Sequence, residues 1–484
     1  MFPTFIQDLL SKLPVGIRRR VQPILDALLE LLAQKDARIK ELEDQIAKNS
    51  GNSSKPPSTD DLNKPKPKSS NSGKPKNRKP GGQPKHPGTT LEMTDKPTHV
   101  VPHTVDSCKS CQRDLRGQAS EGTVRHQVVD IPIAKMEVTE HQAEVKTCPC
   151  GCVNTAEFPA HATRYVQYGP NIKGFTVYLQ DYQLLPYERT AQLVEDLYGH
   201  RLSTGSLYNF SKKAYDKLED FEEQLKKLLC GVLVAGFDET GFRINKVRMW
   251  LHSCSTALHA YYTVHKKRGF EAMQAAQVLP HFKGTAVHDF WKPYFKYDCE
   301  HSLCNAHMLR ELRFISERFE QSWADDMAAL LCKMKAAKEK AISKGKAALS
   351  AATLHKYQKQ YDRIIQQGLN ANPFKPPKEK KRGPTKKTKP RNLIERLRDY
   401  KKQYLKFFND FKIPFDNNFS ERDIRMMKVK QKVSGCFRSL NGAEHFARIR
   451  SYIVTTRKQK LDVFEALRNL FTDNTFYKQL ICTE

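Results

Sequence analysis

Three acids of this chain close or follow elements that the residue pattern predicts. Asp238 ends the apolar run Leu233 to Phe237, Asp289 ends Thr285 to His288, and Glu421 lies in the polar segment Pro414 to Lys428. If the run from Ser420 is helical, Asn418, Glu421, Arg425 and Lys428 fall on one stripe at i, i+3, i+7 and i+10. Carboxylates beside amides and cations suit a metal ion held against a phosphate. Mg2+ or Mn2+ takes hard oxygen ligands from one or two carboxylates plus substrate oxygens. Two such ions roughly 3.5–4 Å apart serve an in-line displacement at phosphorus. Without metal, the acids would repel and raise one another's pKa. Neighbouring acids compete for the roles. Glu239 should point away from Asp238 while strand geometry persists, Asp423 lies about 200° round the helix from Glu421, and Asp416 is placed for a cap or turn. With 53 acidic residues in the chain, coincidence is the competing explanation.

Cations follow the third acid. Asn418, Arg425, Lys428, Lys430, Lys432 and Arg438 are candidates for binding the phosphates of a nucleic-acid strand, and a solvated basic helix is the alternative. Cys304 and His307 have metal-ligand spacing but supply only two ligands, so His307 is expected to orient Asp289 or a phosphate. Trp291, Tyr294 and Phe295 could stack on an extruded base or belong to the core. A second metal centre is suggested by Cys108 and Cys111 together with Cys148, Cys150 and Cys152, two tight knuckles at the separation of a structural Zn2+ site. Five cysteines compete for four positions, with His141 and His103 in reserve.

The elements that must carry these residues can be read in order. Residues 1–48 form a helical segment in which Leu25, Leu28, Leu32, Ile39, Leu42 and Ile46 alternate steps of three and four, with Lys35 in the one missing place. That pattern predicts a coiled coil or an amphipathic helix packed on its own chain, with Pro23 limiting its start. Residues 49–98 are a Pro/Lys/Ser-rich basic linker, expected to be disordered. A zinc-binding domain is expected over 99–160. Helices over 161–228, with a Gly199 to Leu202 turn and Ser203 or Thr204 as N-cap, read as a helix-turn-helix or as two packed core helices. Three strands, a helix and a fourth strand make residues 229–320 the first part of an α/β core. A helical insertion with a basic loop follows over 321–410; from Lys375 to Arg391 that loop carries nine Lys or Arg and one Glu. Residues 411–460 would complete the core, and a packing helix spans 461–484.

Composition narrows the partners. The 484 residues carry 82 Lys plus Arg against 53 Asp plus Glu, a formal charge of +29, which favours a polyanion because each neutralised phosphate releases counterions. No apolar run approaches the roughly 20 residues of a membrane span. The amino terminus lacks the basic, apolar plan of a signal peptide, so a cytoplasmic location is expected, with thiols or metal-bound cysteines rather than disulfides.

Several motifs together resemble one family. Asn52 to Ser58 (NSSKPPS), Gly81 to Pro84 (GGQP), Asp238 to Gly241 (DETG), His288 to Phe295 (HDFWKPYF), Cys304 to His307 (CNAH) and Asp416 to Glu421 are similar to the transposases of the insertion sequence 66 family, in the same order and over nearly the whole chain. The resemblance implies an α+β multidomain protein with a ribonuclease-H-like core interrupted by a helical insertion. It implies a DDE transposase in which Asp238, Asp289 and Glu421 hold two Mg2+ or Mn2+ ions, and a structural Zn2+ in the cysteine region. Expected partners are transposon-end and target DNA, a second copy of the chain in a homodimer or higher oligomer, and accessory proteins of the same element, within the bacterial nucleoid. A nuclease that cuts without joining, or a catalytically silent DNA-binding relative, is the alternative.

Overall fold

The computed structural model describes residues 12–49, 51–53, 91–132, 135–374, 387–472 and 475–481. Most of the basic linker, including the Gly81 to Pro84 motif, and the basic loop at 375–386 lie outside the described residues. The chain separates into two units, Lys66–Thr139 with Asp196–His200, and the remainder.

The smaller unit is largely irregular among its described residues. Its ordered feature is a knuckle around Cys108, where the Cys108 N–H donates to the Arg113 carbonyl at 2.9 Å and the Gln112 N–H to the Cys108 carbonyl at 3.0 Å.

The larger unit begins with α1 (Val15–Ile46), which runs through Pro23 instead of starting after it. Leu28, Leu32, Ile39, Leu42 and Ile46 are exposed along it, whereas Asp44 near its end is buried and bonded to Arg318 and Lys389. A hairpin of β1 (Val145–Thr147) and β2 (Val153–Thr155) turns at the second cysteine knuckle. Four helices follow: α2 (Pro170–Val177), α3 (Tyr187–Tyr198), α4 (Thr204–Lys217) and α5 (Glu219–Gly231), with a π-helical turn at Tyr178–Tyr182 between the first two. Ser203 caps α4 by accepting from the Ser206 N–H.

A five-stranded sheet forms the centre. Its strands are β3 (Val234–Ile244), β4 (Val247–Ser255), β5 (Ala260–His265), β6 (Thr285–His288) and β7 (Glu300–Leu303), in the order β5-β4-β3-β6-β7. The first three are antiparallel, and β3, β6 and β7 are mutually parallel. Asn245 and Lys246, both with positive φ, make the two-residue turn between β3 and β4, a geometry matched to strand twist. β3 does not end at Asp238 as the apolar run implied. It continues six residues further, because pairing with β4 through Asp238↔Ser253 and Glu239↔His252 satisfies its backbone without an apolar side chain at each position. β7, whose residues Glu300, His301 and Ser302 form no apolar run, was not anticipated.

Beyond α6 (Phe270–Ala275) and the last strands come α7 (Asn305–Phe319), α8 (Ser322–Ser343), α9 (Ala351–Ala371) and α10 (Lys389–Asp399). They share a core built from Leu312, Trp323, Leu331, Tyr361 and Ile394. The chain then returns to the sheet as α11 (Asn418–Ser434) and α12 (Leu440–Lys458). Ile424, Met427 and Phe446 pack on Phe242, Leu251 and Tyr262 of the strands. Each such side chain, fully buried, contributes roughly 1.5–3 kcal/mol. The carboxyl-terminal run is two short helices, α13 (Val463–Asn469) and α14 (Tyr477–Ile481), not one. Helices of the 161–228 region pack on this end: Phe221 meets Tyr452 and Tyr477 edge to face, and Arg448 pairs with Glu222.

Candidate active site

Strand register brings the two aspartates to the same end of neighbouring strands. Gly236 of β3 pairs with Val287 of β6, and Asp238 and Asp289 each stand two residues beyond that pair. In neighbouring parallel strands, paired residues project to one side of the sheet, and a two-residue step keeps the side. Which side is set by Gly236: a Cβ there would lie 2.2 Å from Asn417 Oδ1 and from Ser420 Oγ, so its face is the one under α11. Glu421 is the next residue on that helix. Asp238 therefore faces α11, and Glu239 faces the other way.

Glu239 is fully committed on its own face. Its Oε1 accepts from Arg268 Nε at 2.9 Å and from the guanidinium NH2 at 2.6 Å, and its Oε2 from the Tyr294 hydroxyl at 2.5 Å. Asp423 is likewise removed from the site by Lys458, 2.5 Å away, and Asp416 accepts from the Asn418 N–H at 3.1 Å as a turn residue.

The electrostatics separate the acids. Burial, followed by the charges of Glu239, Glu421 and Asp289, pushes the Asp238 carboxyl well above the usual range. Burial also raises Glu421, but His307 and the cations Arg310 and Arg425 outweigh it and hold that carboxyl below its ordinary value. His307 Nε2 lies 2.9 Å from Glu421 Oε1, and Arg310 lies 3.4 Å from the same oxygen. His307 thus orients Glu421, and not Asp289, one of the two partners expected for it. Asp289 accepts from the Trp291 N–H at 3.0 Å.

Three contributors were not anticipated. Arg310 could have been found from its i+3 spacing to His307 on one helix. Arg268, which holds Glu239 aside, carried no local signal, and Asn417 stood within the Asp416 to Glu421 motif without a role of its own. Asn417 donates its side-chain amide to the Phe237 carbonyl at 2.8 Å and its N–H to Cys304 Sγ at 3.2 Å, joining α11 to β3 and to the start of α7.

The cationic face divides in the same way. Asn418, Arg425, Lys432 and Arg438 are exposed or half-buried at the surface. Lys428 donates to the Gly241 carbonyl, and Lys430 donates to the Gln180 carbonyl at 3.0 Å beside buried Asp181 and Arg450. Lys430 is therefore an internal tie to the π-helical turn, correcting its placement with the phosphate-binding cations. Tyr294 is buried and stacked on His288, and Trp291 is covered by the Arg268 guanidinium at 4.1 Å. Phe295 packs with His301 and Tyr400.

At the second cysteine knuckle, the Cys148 N–H donates to the Cys152 carbonyl and the Gly151 N–H to the Cys148 carbonyl, each at 2.8 Å, with Gly151 at φ +88°. The Cys152 N–H and the Cys148 thiol both lower the Cys150 thiol. In the other unit, the backbone N–H groups of Cys111 and Ser110 lower Cys108, with the Cys111 thiol adding to them. Donors that stabilise thiolates are the environment a zinc ligand needs.

Three family models match the chain. One described as Transposase IS66 family covers residues 165–445, more than half of the sequence, and the zinc-finger binding domain of transposase IS66 covers residues 106–151. A family of unknown function covers residues 12–92. No curated protein matches.

Proposed function

Since the chain belongs to the IS66 family of transposases, we propose that it is a DDE transposase whose Asp238, Asp289 and Glu421 form one metal-binding face. The observation that carries this reading is that Asp238, on the face covered by the Glu421 helix, and Asp289, just past the end of β6, each lie two residues beyond Gly236↔Val287. The strand order, with three antiparallel strands followed by two parallel ones, supports a ribonuclease-H-like core interrupted by the α8–α10 insertion.

The donor set suits Mg2+. All three side chains offer hard oxygens, and the Asp238 carboxyl is raised first by burial and then by the charges of Glu239, Glu421 and Asp289, so a cation beside it would be stabilising. Two ions held there would activate the attacking oxygen and stabilise the leaving one when DNA ends are cut and then joined to target DNA. The chain's own residues prepare the site. His307 and Arg310 keep Glu421 ionised and aimed, Arg268 and Tyr294 hold the fourth acid aside, and Asn417 anchors α11 against β3. Arg425, Lys432 and Arg438 supply surface cations for the DNA backbone beyond α11's first turn.

For the zinc finger, Cys108, Cys111, Cys148 and Cys150 are the proposed ligands. The matched zinc-finger segment contains these four and stops before Cys152, whose backbone serves the turn. We assign α1's exposed apolar stripe to self-association during pairing of DNA ends. The test is a strand-transfer assay with Mg2+ and DNA carrying the element's ends. Joined products from the native chain, and none from Asp289→Ala, are expected; full activity in that variant overturns the reading, and cleavage without joined products reduces it to a nuclease.

A further inference from the structure

Glu421 belongs to two donor sets of different chemistry. One is the all-oxygen set with Asp238 and Asp289. The other is Cys304, His307 and Glu421, whose ligand atoms all lie within 4.8 Å of one another. Cys304 is the N-cap of α7 and His307 stands one turn on, so a single helix start presents both a sulfur and an imidazole nitrogen to Glu421. Cys304 is buried, while the His307 and Glu421 side chains are each 21 % exposed, which leaves the trio open on one side.

Three ligands of S, N and O type with an open fourth position are the plan of a tetrahedral zinc-like site, with metal–ligand distances of about 2.0–2.3 Å. Such bonds place the ligand atoms roughly 3.3–3.8 Å apart, within reach of small rotations of the three side chains. Thiolate and imidazole do not suit Mg2+, which takes oxygen.

We infer that Cys304, His307 and Glu421 form a binding site for a thiophilic divalent cation of the Zn2+ class, and that occupancy withdraws Glu421 from the Mg2+ set and silences catalysis. The protons balance simply. Burial pushes the Cys304 thiol up to about 12 although the Asn417 N–H donates to its sulfur, so the incoming ion itself displaces the proton, which leaves to solvent through the open side of the trio. His307, whose Nε2–H now donates to Glu421, binds through that nitrogen after the proton leaves it for Nδ1 or for solvent. No electron is transferred. The binding claim stands on the trio alone, whereas the inhibition claim rests on Glu421 being a catalytic ligand.

The experiment uses the full chain, first loaded with a single equivalent of Zn2+ for its four-ligand zinc finger and then titrated with Co2+ alone. A further bound Co2+ with a single-thiolate charge-transfer band is expected, lost in Cys304→Ala and in His307→Ala. His307 is partly exposed on a helix, so its variant should keep the native circular dichroism even if the buried cysteine variant does not. No additional band, or a band that persists in His307→Ala, overturns the site. In cleavage assays, Zn2+ should suppress the Mg2+-supported rate and excess Mg2+ should restore it. His307→Ala, measured against its own uninhibited rate, should need roughly tenfold or more Zn2+. If the wild type takes up Co2+ as described but never cleaves with Mg2+, the catalytic reading fails and the metal site stands. Cleavage indifferent to Zn2+ at saturating occupancy overturns the inhibitory role.

Discussion

Asp238 on β3 and Asp289, the residue that follows β6, each lie two residues past the registered pair Gly236 and Val287 of two neighbouring parallel strands. Their separation in sequence conceals that relationship. Asp238→Asn should reduce Mg2+-supported cleavage by roughly 10²-fold or more, in line with the loss of one preorganised charged group. The same variant should melt at a higher temperature without metal, because the folded chain already resists ionising Asp238. Activity assays and thermal melts check the two halves separately, and a lower melting temperature would contradict the electrostatic argument.

Gly236 is required for close approach, not for an unusual backbone angle. A methyl group there would meet Asn417 Oδ1 and Ser420 Oγ at 2.2 Å and the Phe419 ring at 2.7 Å. Gly236→Ala should push α11 off β3, at a cost of about 1–3 kcal/mol. Because Glu421 rides on that helix, metal-supported cleavage should fall by more than the stability loss explains; denaturant melts beside rate measurements provide the check.

Asp181 provides a pH signature. Buried in the π-helical turn, it titrates at about 6 instead of 3.8, since burial outweighs the help of Lys430, Arg450 and Ser211. The unfolded chain releases this proton first, so between about pH 4 and pH 6 the folded state binds more protons and Asp181's contribution to stability falls as pH rises. The loss is complete above pH 6 and is on the order of 3 kcal/mol. Asp181→Asn should flatten that part of the pH–stability profile and raise stability at neutral pH; an unchanged slope would show that Asp181 is solvated.

Zinc stoichiometry distinguishes the cysteines of the second knuckle. Cys150→Ser should lower bound Zn2+, whereas Cys152→Ser should retain it, because Cys152 serves the turn through its backbone. Atomic absorption on the purified variants decides, and the reverse pattern would exchange the two roles.

DNA binding should depend on the surface cations only. Replacing Arg425, Lys432 and Arg438 by Ala should reduce the slope of log K against log salt by roughly three, at about 0.9 for each phosphate left without its cation. Lys430→Ala should leave that slope unchanged and lower stability instead, since its ammonium bonds the Gln180 carbonyl. Salt titrations of DNA affinity test both expectations.

Much of this site was legible in the order of residues. Alternation along β3 separates Asp238 from Glu239, and helical spacing separates Glu421 from Asp423; both patterns are local and follow from backbone periodicity alone. The failures share a cause. Lys430 reads as a surface cation until the Tyr178–Tyr182 turn is laid over it, and His307 reads as a partner of Asp289 until α11 returns from beyond the insertion.

The sequence by itself determined which groups are available: three separated acids, two cysteine knuckles, an excess of cations and the periodicities that build their elements. Only the tertiary structure decided that the aspartates follow two strands in register, that Gly236 admits the Glu421 helix, and that His307, Arg310 and Cys304 converge on Glu421. The reason is physical. Periodicity sets which way a side chain points relative to its own backbone. Strand pairing and the packing of distant helices set what it meets there.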